Sequence, residues 1–235
     1  TYFSKLAHTP LPDQSQATYN RNNSIIIQKQ DGSTVFDKKS FYIRTAYRYT
    51  ARVKIDQIKA QPNPVDDQNR PYSANALDTR MQNNYERLWS KLLHEFEQGS
   101  KTGTQFRKEL TDRINCILER VLEVRISSIG NIGEGKGQLF FEKGVSKDFP
   151  YENLSSGEKE VIDIIIDLLL KIESYDDTVF AIDEPELHLN TAIQRKLLLE
   201  IEKLIPDTCQ LWVATHSIGF LRALQDDLKF KCQIL

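Results

Sequence analysis

Residues 178–190 read TVFAIDEPELHLN. Val179, Phe180, Ala181 and Ile182 make a short unbroken apolar run, the pattern of a central strand buried on both faces. The run ends in two carboxylates, Asp183 and Glu184, and Pro185 stops the strand. Adjacent acids at the exposed tip of a buried strand repel each other unless a cation lies near them. Asp183 is placed to hold Mg²⁺, directly or through water, and Glu184 to orient or deprotonate an attacking water. The plainer alternative is an acidic loop after a strand.

Working outward, residues 210–220 read QLWVATHSIGF. Leu211, Trp212, Val213 and Ala214 form another buried-strand run, ending in Thr215, His216 and Ser217. Between the two runs lies TAIQRKLLLEIEKLI, a helix by its apolar spacing. The unit is β-α-β, so its strands are expected parallel with both C-terminal tips on one edge. Asp183, Glu184 and His216 then share one crevice. Upstream, residues 152–172 read ENLSSGEKEVIDIIIDLLLKI. A polar turn, Leu154, Ser155, Ser156, Gly157 and Glu158, opens onto a helix that is apolar on most of its surface. Such a helix must be buried, and a sheet is its expected partner. Ser155 or Ser156 can cap its free N–H groups. Alone, this turn is an ordinary capped helix start; beside the two strand tips it is part of a pattern.

The stretch GNIGEGKGQLFF, residues 130–141, tests whether a phosphate loop lies nearer by. Gly130, Gly135 and Lys136 have the spacing of G-x-x-x-x-G-K, but Gly137 stands where Ser or Thr must reach Mg²⁺. Gln138, Leu139, Phe140 and Phe141 continue as a strand, whereas a phosphate loop opens a helix. Residues 130–137 are therefore read as a hairpin tip.

The first half of the chain carries less chemistry. SIIIQKQDGSTVFD, residues 24–37, reads as a hairpin about Asp31 and Gly32, after an opening stretch that is polar and turn-rich. SFYIRTAYRYTARVKI, residues 40–55, starts as a strand, with Arg44, Arg48 and Arg52 among Tyr42, Tyr47 and Tyr49. Basic residues among aromatics can touch nucleic acid or phosphate; arginines solvating one face of a half-buried element is the favoured reading. A proline-rich linker spans residues 59–75. Two amphipathic helices follow, one on Tyr85, Leu88, Trp89, Leu92, Leu93 and Phe96, the other on Phe106, Leu110, Ile114, Ile117, Leu118 and Val121. They suggest a helical subdomain set into an α/β chain.

Of the 235 residues, 40% are hydrophobic and the formal charge is −2, which allows a sizeable core and rules out a global basic field for nucleic acid. Cys116, Cys209 and Cys232 form no CxxC pair, which suits a reducing, cytoplasmic setting. No apolar stretch has membrane-spanning length and no signal peptide opens the sequence. The chain starts at Thr1 and its single methionine is Met81, so it reads as a piece of a longer polypeptide.

In order and chemistry, LSSGE, the apolar run ending in DEPELHLN, and ATHS resemble the signature, Walker B, D-loop and switch-histidine motifs of ATP-binding-cassette ATPases. The resemblance covers residues 153–220. It is to the RecF, SMC and OLD-like branch, and DEPELHL is similar to AAA-family ATPases of bacterial anti-phage systems such as Septu and retron-associated modules. It implies an α/β ABC-type ATPase head, P-loop NTPase-like, with an inserted helical subdomain. Residues 1–75 would be the β-rich part of the head, 76–125 the helical subdomain, and 126–235 the signature, Walker B and switch-histidine part.

The same resemblance implies ATP and Mg²⁺ as cofactors. Asp183 would serve the metal, Glu184 would be the catalytic base, and His216 would steady the γ-phosphate. Ser155, Ser156, Gly157 and Glu158 would meet ATP held by a second head. Asn190 stands where many cassettes carry the D-loop aspartate. No Walker A form occurs in residues 1–49, and it is expected upstream of Thr1 or missing. Implied partners are a second ATPase head, a nuclease or other effector, and DNA, in anti-phage defence. Two rivals stand beside this reading: a non-catalytic ATP-gated clamp, and a metal-dependent nuclease using Asp183, Glu184 and Glu186.

Overall fold

The computed structural model describes residues 16–19, 25–28, 39–46, 74–75, 84–91, 103–130 and 139–227. In chain order, β1 (Gln16–Tyr19) and β2 (Ile25–Gln28) pair antiparallel. Strands β3 (Phe41–Arg44) and β4 (Ala74–Asn75) follow, then helical residues 84–91 (α1) and helix α2 (Gly103–Leu122). Strands β5 (Arg125–Ser128), β6 (Phe140–Lys143) and β7 (Ser146–Pro150) form an antiparallel sheet. The last part alternates: α3 (Ser156–Lys171), β8 (Val179–Asp183), α4 (Thr191–Leu204), β9 (Gln210–Ala214) and α5 (Ile218–Asp227).

The strands that carry the acidic motif lie in a sheet of order β4-β3-β8-β9 whose neighbouring strands all run parallel. Arg44 pairs with Ile182 and Asp183 with Ala214, so the β-α-β unit read from the sequence sets its two C-terminal tips side by side. Phe180 and Ile182 are buried and join a core with Val161, Ile165, Leu168, Leu197 and Ile201 from α3 and α4. Helix α3 is buried on nearly its whole circumference, as its apolar composition requires. Each aliphatic side chain it buries contributes about 1.5–3 kcal/mol.

The other face of the sheet departs from the expectation of strands buried on both sides. Trp212 on β9 is 57% exposed, whereas Trp89 on α1 is wholly buried. Apolar composition alone did not distinguish these two environments.

Helices α1 and α2 add Tyr85, Leu88, Trp89, Ile114 and Leu118 to the same core. Asn115 of α2 brackets Ile126 of β5, accepting from its N–H at 2.7 Å and donating to its carbonyl at 3.1 Å. The arms of the glycine-rich hairpin are present as the antiparallel pair β5 and β6; its tip, with Lys136, lies outside the described residues. So does the expected turn at Asp31 and Gly32. The described partner of β2 is β1, from a stretch read as irregular because its β-prone Thr18 and Tyr19 sit among prolines and glutamines.

Arg44 corrects a second reading. It does not solvate a face: its side chain is fully buried at the end of β3. Nη2 donates to Glu160 Oε1 at 2.8 Å and Asp163 Oδ2 at 2.9 Å, and Nη1 lies 3.5 Å from Asp167 Oδ2. Asp167 also accepts from Tyr42 Oη and from Lys171 Nζ, and the Lys171 ammonium lies 5.3 Å from the centre of the Tyr42 ring. Burial opposes the guanidinium charge, but Asp163 and Glu160 outweigh it and hold the pKa of Arg44 well above its ordinary value.

Removing one member of such a buried set strands the others without their counter-charge. Arg44→Met is expected to cost about 3–5 kcal/mol in urea unfolding. The exposed bidentate pair Arg195–Asp227, Nη2 to Oδ1 at 2.7 Å, serves as control, and Arg195→Met is expected to leave the urea midpoint nearly unchanged, because solvent screens the pair. Equal losses for the two variants would contradict this account.

Candidate functional site

The parallel register brings the residues at the ends of β8 and β9 to one edge. The ladder continues one residue past β8, since Glu184 N–H donates to the Ala214 carbonyl at 2.8 Å. From the β3 side, Ala46 N–H donates to Asp183 Oδ2 at 3.4 Å. His216 follows β9 by two residues, and its Nε2 stands 3.7 Å from Glu184 Oε1. The imidazole is 92% exposed and the Glu184 side chain 29%, so an acid and a base face solvent within reach of one small molecule. Of the residues singled out in the sequence, Asp183, Glu184 and His216 are thus brought together.

The turn after β8 is sharply bent. Glu184 has φ +45° and His188 φ +63°, a region that costs a non-glycine residue about 1–3 kcal/mol. Hydrogen bonds from Leu187 N–H to the Glu184 carbonyl, 3.2 Å, and from Leu189 N–H to the Glu186 carbonyl, 3.0 Å, hold the bend. Asn190 caps α4, its Oδ1 accepting from Ile193 N–H at 3.0 Å.

Glu186 does not face outward with the other two acids. Its Oε1 accepts from Thr215 Oγ1 at 2.5 Å and from His216 N–H at 3.1 Å. Among the described residues no three His, Cys, Asp or Glu side chains form a group able to hold a metal ion. A three-carboxylate nuclease cluster is therefore not what the side chains build.

The LSSGE turn forms the start of α3. Ser155 is its N-cap: Oγ accepts from Glu158 N–H at 3.3 Å, and Glu158 Oε2 accepts from Ser155 N–H and Oγ, both at 2.8 Å, completing a capping box. Lys143 Nζ donates to Glu158 Oε1 at 2.6 Å. Burial alone would raise the Glu158 pKa. The bonds from Lys143 and from the Ser155 backbone and hydroxyl outweigh it and hold the carboxyl below its ordinary range.

Gly157 has a role that the sequence does not disclose. A Cβ there would lie 2.6 Å from the backbone oxygen of His188 and 3.0 Å from Leu189 Cδ2. The first turn of α3 thus packs directly on the bend that follows the acidic pair, leaving no room for a side chain.

A family model described as "AAA domain, putative AbiEii toxin, Type IV TA system" matches residues 8–222. This chain belongs to that family. It is an α/β domain of AAA type, as the sequence motifs led one to expect. No curated protein matches it. Among solved structures it is similar to SMC ATPases. One comes from work on their ATP-driven dimerization and DNA-stimulated activation, with 14% identity, TM-score 0.39, and 51% of this chain and 74% of the other covered. Another is an Smc head domain from Pyrococcus furiosus with an extended coiled coil, bound to the C-terminal domain of ScpA, with 13% identity and TM-score 0.43. There 61% of this chain and 38% of the other are covered. A third is an Smc head bound to the C-terminal winged-helix domain of ScpA, with 13% identity, TM-score 0.45, and 61% of this chain and 43% of that one covered. Among the described residues of this AAA domain no helix is long and apolar enough to cross a membrane.

Two outcomes follow for the α3 start of this AAA domain. Gly157→Ala is expected to lower the melting temperature in the absence of nucleotide, because a backbone oxygen must move to admit the methyl group; an unchanged Tm would show that the contact yields freely. Glu158 adds a pH signature. Its folded pKa lies below the unfolded one, so its stabilisation is complete above the ordinary carboxylate range and is lost as pH falls through the depressed value. The Tm gap between the wild type and Glu158→Gln is expected to be constant near neutrality and to close only as the pH falls below the ordinary carboxylate range.

Proposed function

We propose that this AAA domain is an ATP-hydrolysing head of the ABC and SMC type. The observation that carries the reading is the convergence at one sheet edge of Asp183, Glu184 and His216, with Nε2 of the histidine 3.7 Å from the Glu184 carboxylate. The donor chemistry fits Mg²⁺·ATP: a hard carboxylate ligand at a strand tip, a second carboxylate one residue on, and an exposed nitrogen donor across from it. Asp183 would hold Mg²⁺, which when bound neutralises phosphate charge. Glu184 takes the proton from an attacking water held beside it, and His216 donates toward the γ-phosphate.

Ser155, Ser156, Gly157 and Glu158 sit at the N-terminus of a sixteen-residue helix, α3, where free N–H groups and the helix dipole favour an anion. In this reading they meet ATP carried by a second head. A nuclease or other effector acting on DNA is the proposed partner and anti-phage defence the proposed setting. Support comes from the DEPELHL wording and from a family description that names a toxin system. Cys116 and Cys209 are free thiols, in keeping with a cytoplasmic location.

In the full-length protein, Glu184→Gln is expected to slow ATP hydrolysis by about 10²–10⁴-fold while ATP still binds in an equilibrium titration. Hydrolysis at the wild-type rate would remove Glu184 from the role of base. For the shared site, Ser155→Arg is expected to abolish hydrolysis with binding retained, and mixing it with Glu184→Gln to restore part of the rate. No recovery at any ratio, in heads shown to exchange, would count against a second head.

A further inference from the structure

Glu186 is more than nine-tenths buried although it stands in a solvent-facing bend. Its Oε1 takes two donors from the end of β9, the Thr215 hydroxyl and the His216 N–H, and its Oε2 meets no donor among the described residues. A buried carboxylate costs several kcal/mol unless its partners repay the lost hydration. Its retention here needs a reason, and a ring of hydrogen bonds supplies one.

Thr215 Oγ1, which donates to Glu186, also accepts from Ser217 N–H at 3.0 Å. Ser217 Oγ donates to Gln194 Oε1 at 2.6 Å, and Gln194 Nε2 donates to the Leu189 carbonyl at 2.9 Å. Leu189 N–H donates back to the Glu186 carbonyl at 3.0 Å. The circuit closes on itself. It joins the bend after Glu184, the first turn of α4 and the segment bearing His216, and Glu186 is the member that bonds the His216 backbone directly.

We propose that Glu186 is a positioning residue for the hydrolytic site: it fixes the backbone from which His216 faces Glu184. The inference rests on the ATPase reading above. Truncating Glu186 frees the Thr215 and His216 donors, lets the β9 tip drift, and widens the gap between imidazole and carboxylate. Displacements of about 1 Å in such a site lower rates by about 10²-fold.

The test is steady-state hydrolysis by the full-length protein, with kcat and KM for ATP separated, for Glu186→Ala and Glu186→Gln, each with and without His216→Ala. Glu186→Ala is expected to lower kcat by about 10²-fold, with KM changed less than about twofold. Glu186→Gln, which keeps an acceptor oxygen, recovers most of that loss. In the His216→Ala background Glu186→Ala adds little, because the residue acts through the histidine.

If Glu186→Ala fails to fold, Thr215→Val removes one of the two donors. It is expected to lower kcat, again without effect in the His216→Ala background, and Thr215→Ser is expected to recover the loss. The inference is overturned if the Glu186→Ala or Thr215→Val loss is equally large without His216, if it falls on KM, or if no loss occurs while His216→Ala is impaired. Wild-type hydrolysis by His216→Ala would instead overturn the role of His216 itself, and the inference with it.

Discussion

A guanidinium with no exposure to water holds the signature-like helix to the sheet. Arg44 ends β3, and the acids that face it, Glu160, Asp163 and Asp167, lie at spacings of three and four along α3. They form one polar stripe on a helix that is otherwise aliphatic. An apolar interface of the same volume would often be as stable or more so. What the ionic one adds is direction: a guanidinium fork bonds carboxylates in few geometries, whereas isoleucines slide over leucines at little cost. Arg44 pairs with Ile182, the residue before Asp183. The rotation and height of α3 are thereby set against the strand that carries the acidic pair.

The candidate site inherits this framing at its other contacts. Gly157 seats the first turn of α3 on the carbonyl of His188, and His188 belongs to the bend that Glu186 ties to the end of β9. The helix N-terminus therefore meets the bend by close backbone approach, and the bend meets the histidine segment through the buried Glu186 carboxylate and the Glu184 N–H. Movement at one is felt at the others, because close-packed backbone yields in steps rather than continuously.

Much of the fold was legible because its signals are local. Unbroken apolar runs, an intervening helical period and Pro185 sufficed to place β8, α4 and β9, and right-handed parallel crossover topology then put Asp183, Glu184 and His216 on one edge. Signals that failed were tertiary. Arg44 alternates with tyrosines as a surface strand would, and its nearest acids stand 116 and 119 residues away. The available clue was on the helix: three acids and Lys171 aligned on a segment too apolar to be wet need a buried counter-charge. Glu186 was grouped with Asp183 and Glu184 by adjacency, but the left-handed backbone at Glu184 turns the chain and sends its carboxylate inward. Gly157 read as an approach for phosphate, and no pattern in one sequence reveals that a carbonyl already fills its Cβ position.

The contrast between the two tryptophans bears on how this domain can be watched. Trp89 is sealed in the core, while Trp212 stands 57% exposed on β9, four residues before His216 and opposite Ala181 in the register. Its indole N–H donates to Gln210 on the same strand at 3.0 Å, so the ring is tethered yet open to solvent. A dissolved collisional quencher reaches this indole and not the other. The protein thus carries an intrinsic optical reporter on the strand whose tip bears the histidine, with its second emitter shielded as an internal reference.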